Sequence, residues 1–187
     1  VIDTQVHFRD PGLTHKADIE TESLAAICGG VTSYLEIPNT DPPTTTAEAL
    51  QGKLDRAADV SYANYGFFVG AALDNVDSLT ELERLPGAPG VKLFAGSSTG
   101  TLLVEDEESI RRVMQNGSRP MPVHSEDEAI LRRNYAELEE GAGVKRHPEV
   151  RSVEAAVEST RRILRLCAET GRPTHILHIS TAEELPL

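Results

Sequence analysis

Short apolar runs alternate along the chain with longer stretches in which apolar residues recur every three or four positions. The short runs lack strict polar alternation, as strands buried on both faces do, and the longer stretches carry the period of amphipathic helices. Their regular succession predicts repeated βα units around a parallel sheet. Strands are expected over residues 1–8, 31–37, 65–71, 91–94, 121–124 and 174–179, and helices over 17–28, 46–58, 78–85, 107–116, 126–139 and 153–170. Gly29-Gly30, Gly117, and Gly171 followed by Pro173 punctuate three helix ends. The longest connection, residues 140–152, carries Gly141, Gly143 and Pro148 and reads as a loop on the rim of the fold.

Such units build either an open doubly wound sheet or a closed (β/α)8 TIM-type barrel, and periodicity alone does not separate the two. The polar residues do. His7, Asn39, Lys92, His124 and His178 each fall at or just past the C-terminal end of a predicted strand, where barrel enzymes gather their chemistry. An α/β barrel is therefore expected. About six βα units fall short of the eight a barrel needs, so residues 1–187 are expected to be the N-terminal portion of a single barrel domain. Its activity in isolation is doubtful on the same ground.

Composition narrows the partners. The chain has 187 residues, 18 Lys and Arg against 30 Asp and Glu, and a formal charge of -12. No basic run interrupts this acidity, which disfavours nucleic acid and anionic membrane surfaces and favours a small-molecule substrate. Cys28 and Cys167 lie in apolar helical runs and read as reduced, buried side chains of a cytoplasmic protein. No stretch approaches the roughly 20 apolar residues of a membrane span.

On the first strand Asp3, Gln5 and His7 share one face. A lone His at a strand end is most often a hydrogen-bonded structural group; here its company raises the prospect of a ligand. Lys92 is embedded in an apolar strand, where an amine must snorkel, pair with a carboxylate or be neutralised. Its lowered basicity would also favour reaction with CO2 to give a carbamate able to bridge two metal ions. His124 and His178 end two further strands; on strand alternation His178, and not His175, should face the interior. His15 and His147 lie in polar loops and read as solvated. Imidazole and carbamate ligands converging from separate strands suit zinc with an open water position. Gly96-Ser97-Ser98-Thr99-Gly100 lacks the Lys-Ser/Thr ending of a phosphate-binding loop.

Together, Val6-His7-Phe8-Arg9-Asp10-Pro11-Gly12, Pro38-Asn39-Thr40, Gly90-Val91-Lys92-Leu93-Phe94, Val123-His124-Ser125-Glu126-Asp127 and Leu177-His178-Ile179-Ser180-Thr181 resemble the dihydroorotase family of the amidohydrolase superfamily, in order and over nearly the whole chain. The resemblance implies a metal-dependent hydrolase barrel with one or two zinc ions, reversibly hydrolysing dihydroorotate to carbamoyl aspartate in pyrimidine synthesis. It implies His7, His124 and His178 as metal ligands, Lys92 as a metal ligand carbamylated in some members, and Arg9 and Asn39 as residues holding the substrate carboxylate. A homo-oligomer, with aspartate transcarbamoylase as a possible partner, is implied as well. Hydantoinases and allantoinases share the scaffold but take substrates without that carboxylate. Two departures stand out. Gln5 occupies the place of the first His of the family's His-x-His pair, a poorer zinc ligand that keeps a catalytically inactive, structural subunit in view. The family's general-base Asp is expected beyond residue 187.

Overall fold

The computed structural model describes residues 1–98 and 100–187; Thr99, within the glycine-serine segment discounted above, lies outside the described residues. The chain forms two compact units, Val1–Lys92 with Asn116–Arg119, and Leu93–Gln115 with Pro120–Leu187.

The first unit is built on β1 (Ile2–Val6), β2 (Ser33–Glu36) and β3 (Asn64–Phe67), paired in parallel in that order. Helices α1 (Ile19–Cys28) and α2 (Ala47–Val60) cross between them. Each starts where the sequence supplies a cap: Asp18 accepts from the backbone N–H of Thr21, and Thr46 from that of Ala49. Phe8, Ile19, Tyr34, Leu50, Phe67 and Val69 make one buried cluster, with the rings of Phe8 and Tyr34 4.5 Å apart. The strand expected over 65–71 is two strands, β3 and β4 (Val69–Gly70). The break has a cause: Phe67 pairs with Glu36 of β2, whereas Val69 pairs with Val91 of β5 (Val91–Phe94), so Phe68 is where the chain changes partners. The helix expected over 78–85 is only α3 (Leu79–Leu82), preceded by a 3-10 turn at Val76–Ser78.

In the second unit the end of β5 pairs in parallel with β6 (Met121–His124), and β6 with β7 (Thr174–Ile176). Helices α4 (Glu107–Gln115), α5 (Glu128–Ala136) and α7 (Val153–Thr170) accompany them. Ser152 caps α7 at one end, and Gly171, in the left-handed conformation at φ 70°, closes it at the other. Residues 140–152 are not a bare loop: they hold a 3-10 turn at Val144–Arg146 and α6 (His147–Val150). Both units follow the parallel βα pattern of the sequence. No helix among the described residues is long and apolar enough to cross a membrane.

Candidate active-site residues

In the first unit, His7 follows the end of β1 and Asn39 follows β2. The His7 Nδ1 lies 2.8 Å from Asn39 Oδ1. An amide oxygen only accepts, so Nδ1 carries the proton and Nε2 is left with the lone pair. Asn39, expected at a substrate carboxylate, thus commits its side-chain oxygen to orienting His7.

Arg9 stands beside this pair. Its backbone is left-handed, φ 66°, uncommon for a residue with a Cβ. The buried Glu36 holds it there, with Oε1 accepting the Arg9 N–H at 3.1 Å while Oε2 accepts from Lys53 Nζ at 2.8 Å. Burial pushes the Glu36 carboxyl up and the Lys53 amine down, and each opposes the shift of the other. Among the described residues the Arg9 guanidinium makes one long bond, from NH1 to the Asn39 carbonyl at 3.5 Å. Arg56, Arg111, Arg132, Arg151 and Arg165, by contrast, all pair with carboxylates. The fork of Arg9 is therefore available for a bidentate partner.

Lys92 is 1% exposed in β5, opposite Gly70. Desolvation holds its amine well below the ordinary lysine range. Gln5 is half-buried on β1. Asp3, which shares its strand, is exposed and accepts the Gln5 backbone N–H at 3.0 Å, a local turn-like bond.

In the second unit His124 Nδ1 and His178 Nε2 lie 3.1 Å apart. His178 reaches this position by a route strand alternation did not foresee. β7 ends at Ile176, and His178 itself takes a left-handed turn at φ 38°. On the far side of the His124 ring, Nε2 is 2.6 Å from Glu126 Oε2. Arg151 donates through Nε to Glu126 Oε1 at 2.9 Å and through NH2 to Oε2. Arg151 NH2 also approaches His124 Nε2 at 3.1 Å. A guanidinium only donates and a carboxylate only accepts, so the short contact to Glu126 fixes Nε2 as N–H, and both donors converge on Glu126. Burial would raise the Glu126 carboxyl, but the hydrogen bonds from His124 and Arg151 outweigh it and bring it down to about 2. With Nε2 protonated, Nδ1 keeps the lone pair that faces His178.

This pair fits a metal. Two nitrogens bound tetrahedrally to one zinc are about 3.3 Å apart for ordinary Zn–N lengths, close to the 3.1 Å observed. Two imidazoles are an incomplete set, however, and among the described residues no group of three or more His, Cys, Asp or Glu side chains is arranged to hold a metal ion. His124, Glu126, His147, Arg151, His178 and Thr181 line a cavity of about 450 Å³. His147, expected to be merely solvated, is exposed but borders this cavity.

Sequence reasoning passed over Glu36, Lys53, Glu126 and Arg151. Glu36 carried the same signal as Lys92, a charge inside an apolar run. Glu126 lies two residues beyond His124, on the same side of an extended chain. Arg151 carried no local signal, because a helix absent from the sequence reading delivers it.

No protein-family profile matches the chain. It is 31% identical over 185 residues to a dihydroorotase of Methanosarcina mazei, covering 97% of this chain and 40% of that protein. It is 35% identical over 195 residues to an allantoinase of Streptomyces avermitilis, covering all of this chain and 42% of that one. Among solved structures, an L-hydantoinase from Arthrobacter aurescens superposes with a TM-score of 0.92 at 24% identity, over the whole of this chain and 43% of that chain. The chain thus spans about two fifths of the length of the relatives it matches, and the fold is that of part of a (β/α)8 hydrolase barrel.

Proposed function

We propose that this chain belongs to the cyclic amidohydrolases of the amidohydrolase superfamily and that the protein is a zinc-dependent dihydroorotase. Its reaction is the reversible hydrolysis of the cyclic amide of dihydroorotate to carbamoyl aspartate. The relatives include enzymes named for other rings, so the choice rests on what Arg9 can recognise. An arginine with no carboxylate partner among the described residues, in a chain of net charge -12, held by a buried glutamate in an uncommon backbone conformation, suits a ligand that brings its own carboxylate. Hydantoin and allantoin rings bring none.

In this reading His124 and His178 of the second unit hold a metal through Nδ1 and Nε2, while in the first unit His7, kept in one tautomer by Asn39, has Nε2 as its donor atom. Lys92 is the carbamate ligand of this reading, and burial lowers the basicity of its amine, which favours reaction with CO2. When bound, zinc supplies an acidified water and polarises the ring carbonyl. The residues of this chain hold and orient the substrate. Arg9 orients the ring by its carboxylate, and Glu36 and Lys53 keep Arg9 from relaxing to an ordinary backbone conformation.

Arg9→Lys in the full-length protein tests the reading. A point charge in place of the fork should raise KM for dihydroorotate at least tenfold while zinc content stays unchanged. Unaltered kinetics would remove the carboxylate role and with it the preference for dihydroorotate.

A further inference from the structure

His124 is more elaborately held than a ligand needs to be. Glu126 takes its Nε2–H at 2.6 Å, and both carboxylate oxygens of Glu126 are gripped by one guanidinium, so the carboxylate cannot rotate away from the ring. Arg151 is itself pinned: Asn134 Nδ2 donates to the Val150 carbonyl at 3.0 Å and to Ser152 Oγ at 3.3 Å, one residue to either side of it. Behind the strand end, Ser125 Oγ bonds Ser159 Oγ at 2.9 Å and Thr160 Oγ1 at 3.2 Å, tying the residue between His124 and Glu126 to α7.

We propose that Glu126 and Arg151 are positioning residues for His124. The carboxylate fixes the imidazole in the tautomer that turns the Nδ1 lone pair toward His178, the side on which a metal would sit. Arg151 acts through Glu126 and touches neither metal nor substrate. The 140–152 segment is thus a strut that carries Arg151 into place. The inference rests on the metal reading above and extends it to two residues that reading does not use.

The test is zinc affinity of the full-length protein, measured by competition against a chromophoric chelator, with the visible spectrum of the cobalt-substituted protein as a second readout. Glu126→Gln should weaken zinc roughly tenfold or more and shift the cobalt bands. Arg151→Met should weaken it less, Arg151→Lys less again, and the double variant Glu126→Gln with Arg151→Met should bind no worse than Glu126→Gln alone. If the unsubstituted protein binds zinc and the variants bind it equally well, the positioning role is overturned while the metal reading stands. If the unsubstituted protein binds no zinc, both fall. If Arg151→Met raises KM with zinc affinity intact, Arg151 is a substrate contact and the strut is wrong.

Discussion

Replacing Lys53 by Met perturbs the frame beneath Arg9 without leaving a hole, because the two side chains are similar in length and volume. What remains is Glu36, 0% exposed, without its cation. Breaking a buried ion pair by removing one partner costs about 3–5 kcal/mol. The Lys53 amine also lies 5.4 Å from the centre of the Phe67 ring, a contact worth about 1 kcal/mol. The surviving bond from the Arg9 N–H keeps Glu36 partly satisfied, so the expected loss is about 3 kcal/mol. The loss should depend on pH in a defined direction. Burial already raises the Glu36 carboxyl above 4.5, and without Lys53 it rises further. A group whose folded pKa exceeds its unfolded one contributes stability below the unfolded value and loses it as pH climbs through the folded value. The deficit should therefore be large near pH 7.5 and shrink toward about pH 5. Adding Glu36→Gln to Lys53→Met should recover about half of it, since no charge is then left buried. Urea unfolding of the intact protein, followed by circular dichroism at both pH values, measures all of this. A neutral-pH loss below about 1 kcal/mol, or one equal at both pH values, would refute the reasoning.

Three further perturbations reach other parts of the structure. A Cβ on Gly96 would lie 2.1 Å from the Glu126 carbonyl oxygen, so Gly96→Ala should cost about 1–3 kcal/mol and weaken zinc binding; an unchanged melting temperature and zinc affinity would show that the neighbouring backbone yields freely. Hydrogen bonds from Arg165 and Arg111 hold the half-buried Glu107 carboxyl down to about 2, so the small stability gap between the wild type and Glu107→Gln should be present above pH 4.5, vanish as pH falls toward about 2, and shrink in high salt. A gap that ignored pH would exclude the ion-pair explanation. Lys92→Met should abolish any dependence of zinc uptake on bicarbonate, read by metal analysis after reconstitution; uptake that never depended on bicarbonate would dispose of the carbamate.

The regular part of the fold was legible because local chemistry and packing agree there. Helix 153–170 has the predicted bounds: the Ser152 hydroxyl caps its start, and Gly171, which has no Cβ, takes the left-handed turn at its end. The breaks were not legible, because they depend on partners remote in sequence. Nothing near Phe68 says that Phe67 and Val69 pair with different strands. Of the candidate site, the sequence reading named His124 and His178, which meet, and His7, Arg9 and Asn39, which cluster. It named Asn39 for a substrate carboxylate without foreseeing that its side-chain oxygen also meets the His7 ring. It also selected His178 over His175 by an alternation that stops two residues too soon. The carboxylates that organise these groups, Glu36 and Glu126, lie in the quoted sequence without a visible purpose until the three-dimensional contacts of Lys53 and Arg151 supply one.

The most direct test of the central claim is a comparison of kcat/KM for dihydroorotate, hydantoin and allantoin with the zinc-loaded full-length protein under one set of conditions. The account predicts turnover of dihydroorotate well above the other two rings, and loss of that preference in Arg9→Lys. Faster turnover of a ring without a carboxylate, or stoichiometric zinc with no turnover of any of the three, would contradict it.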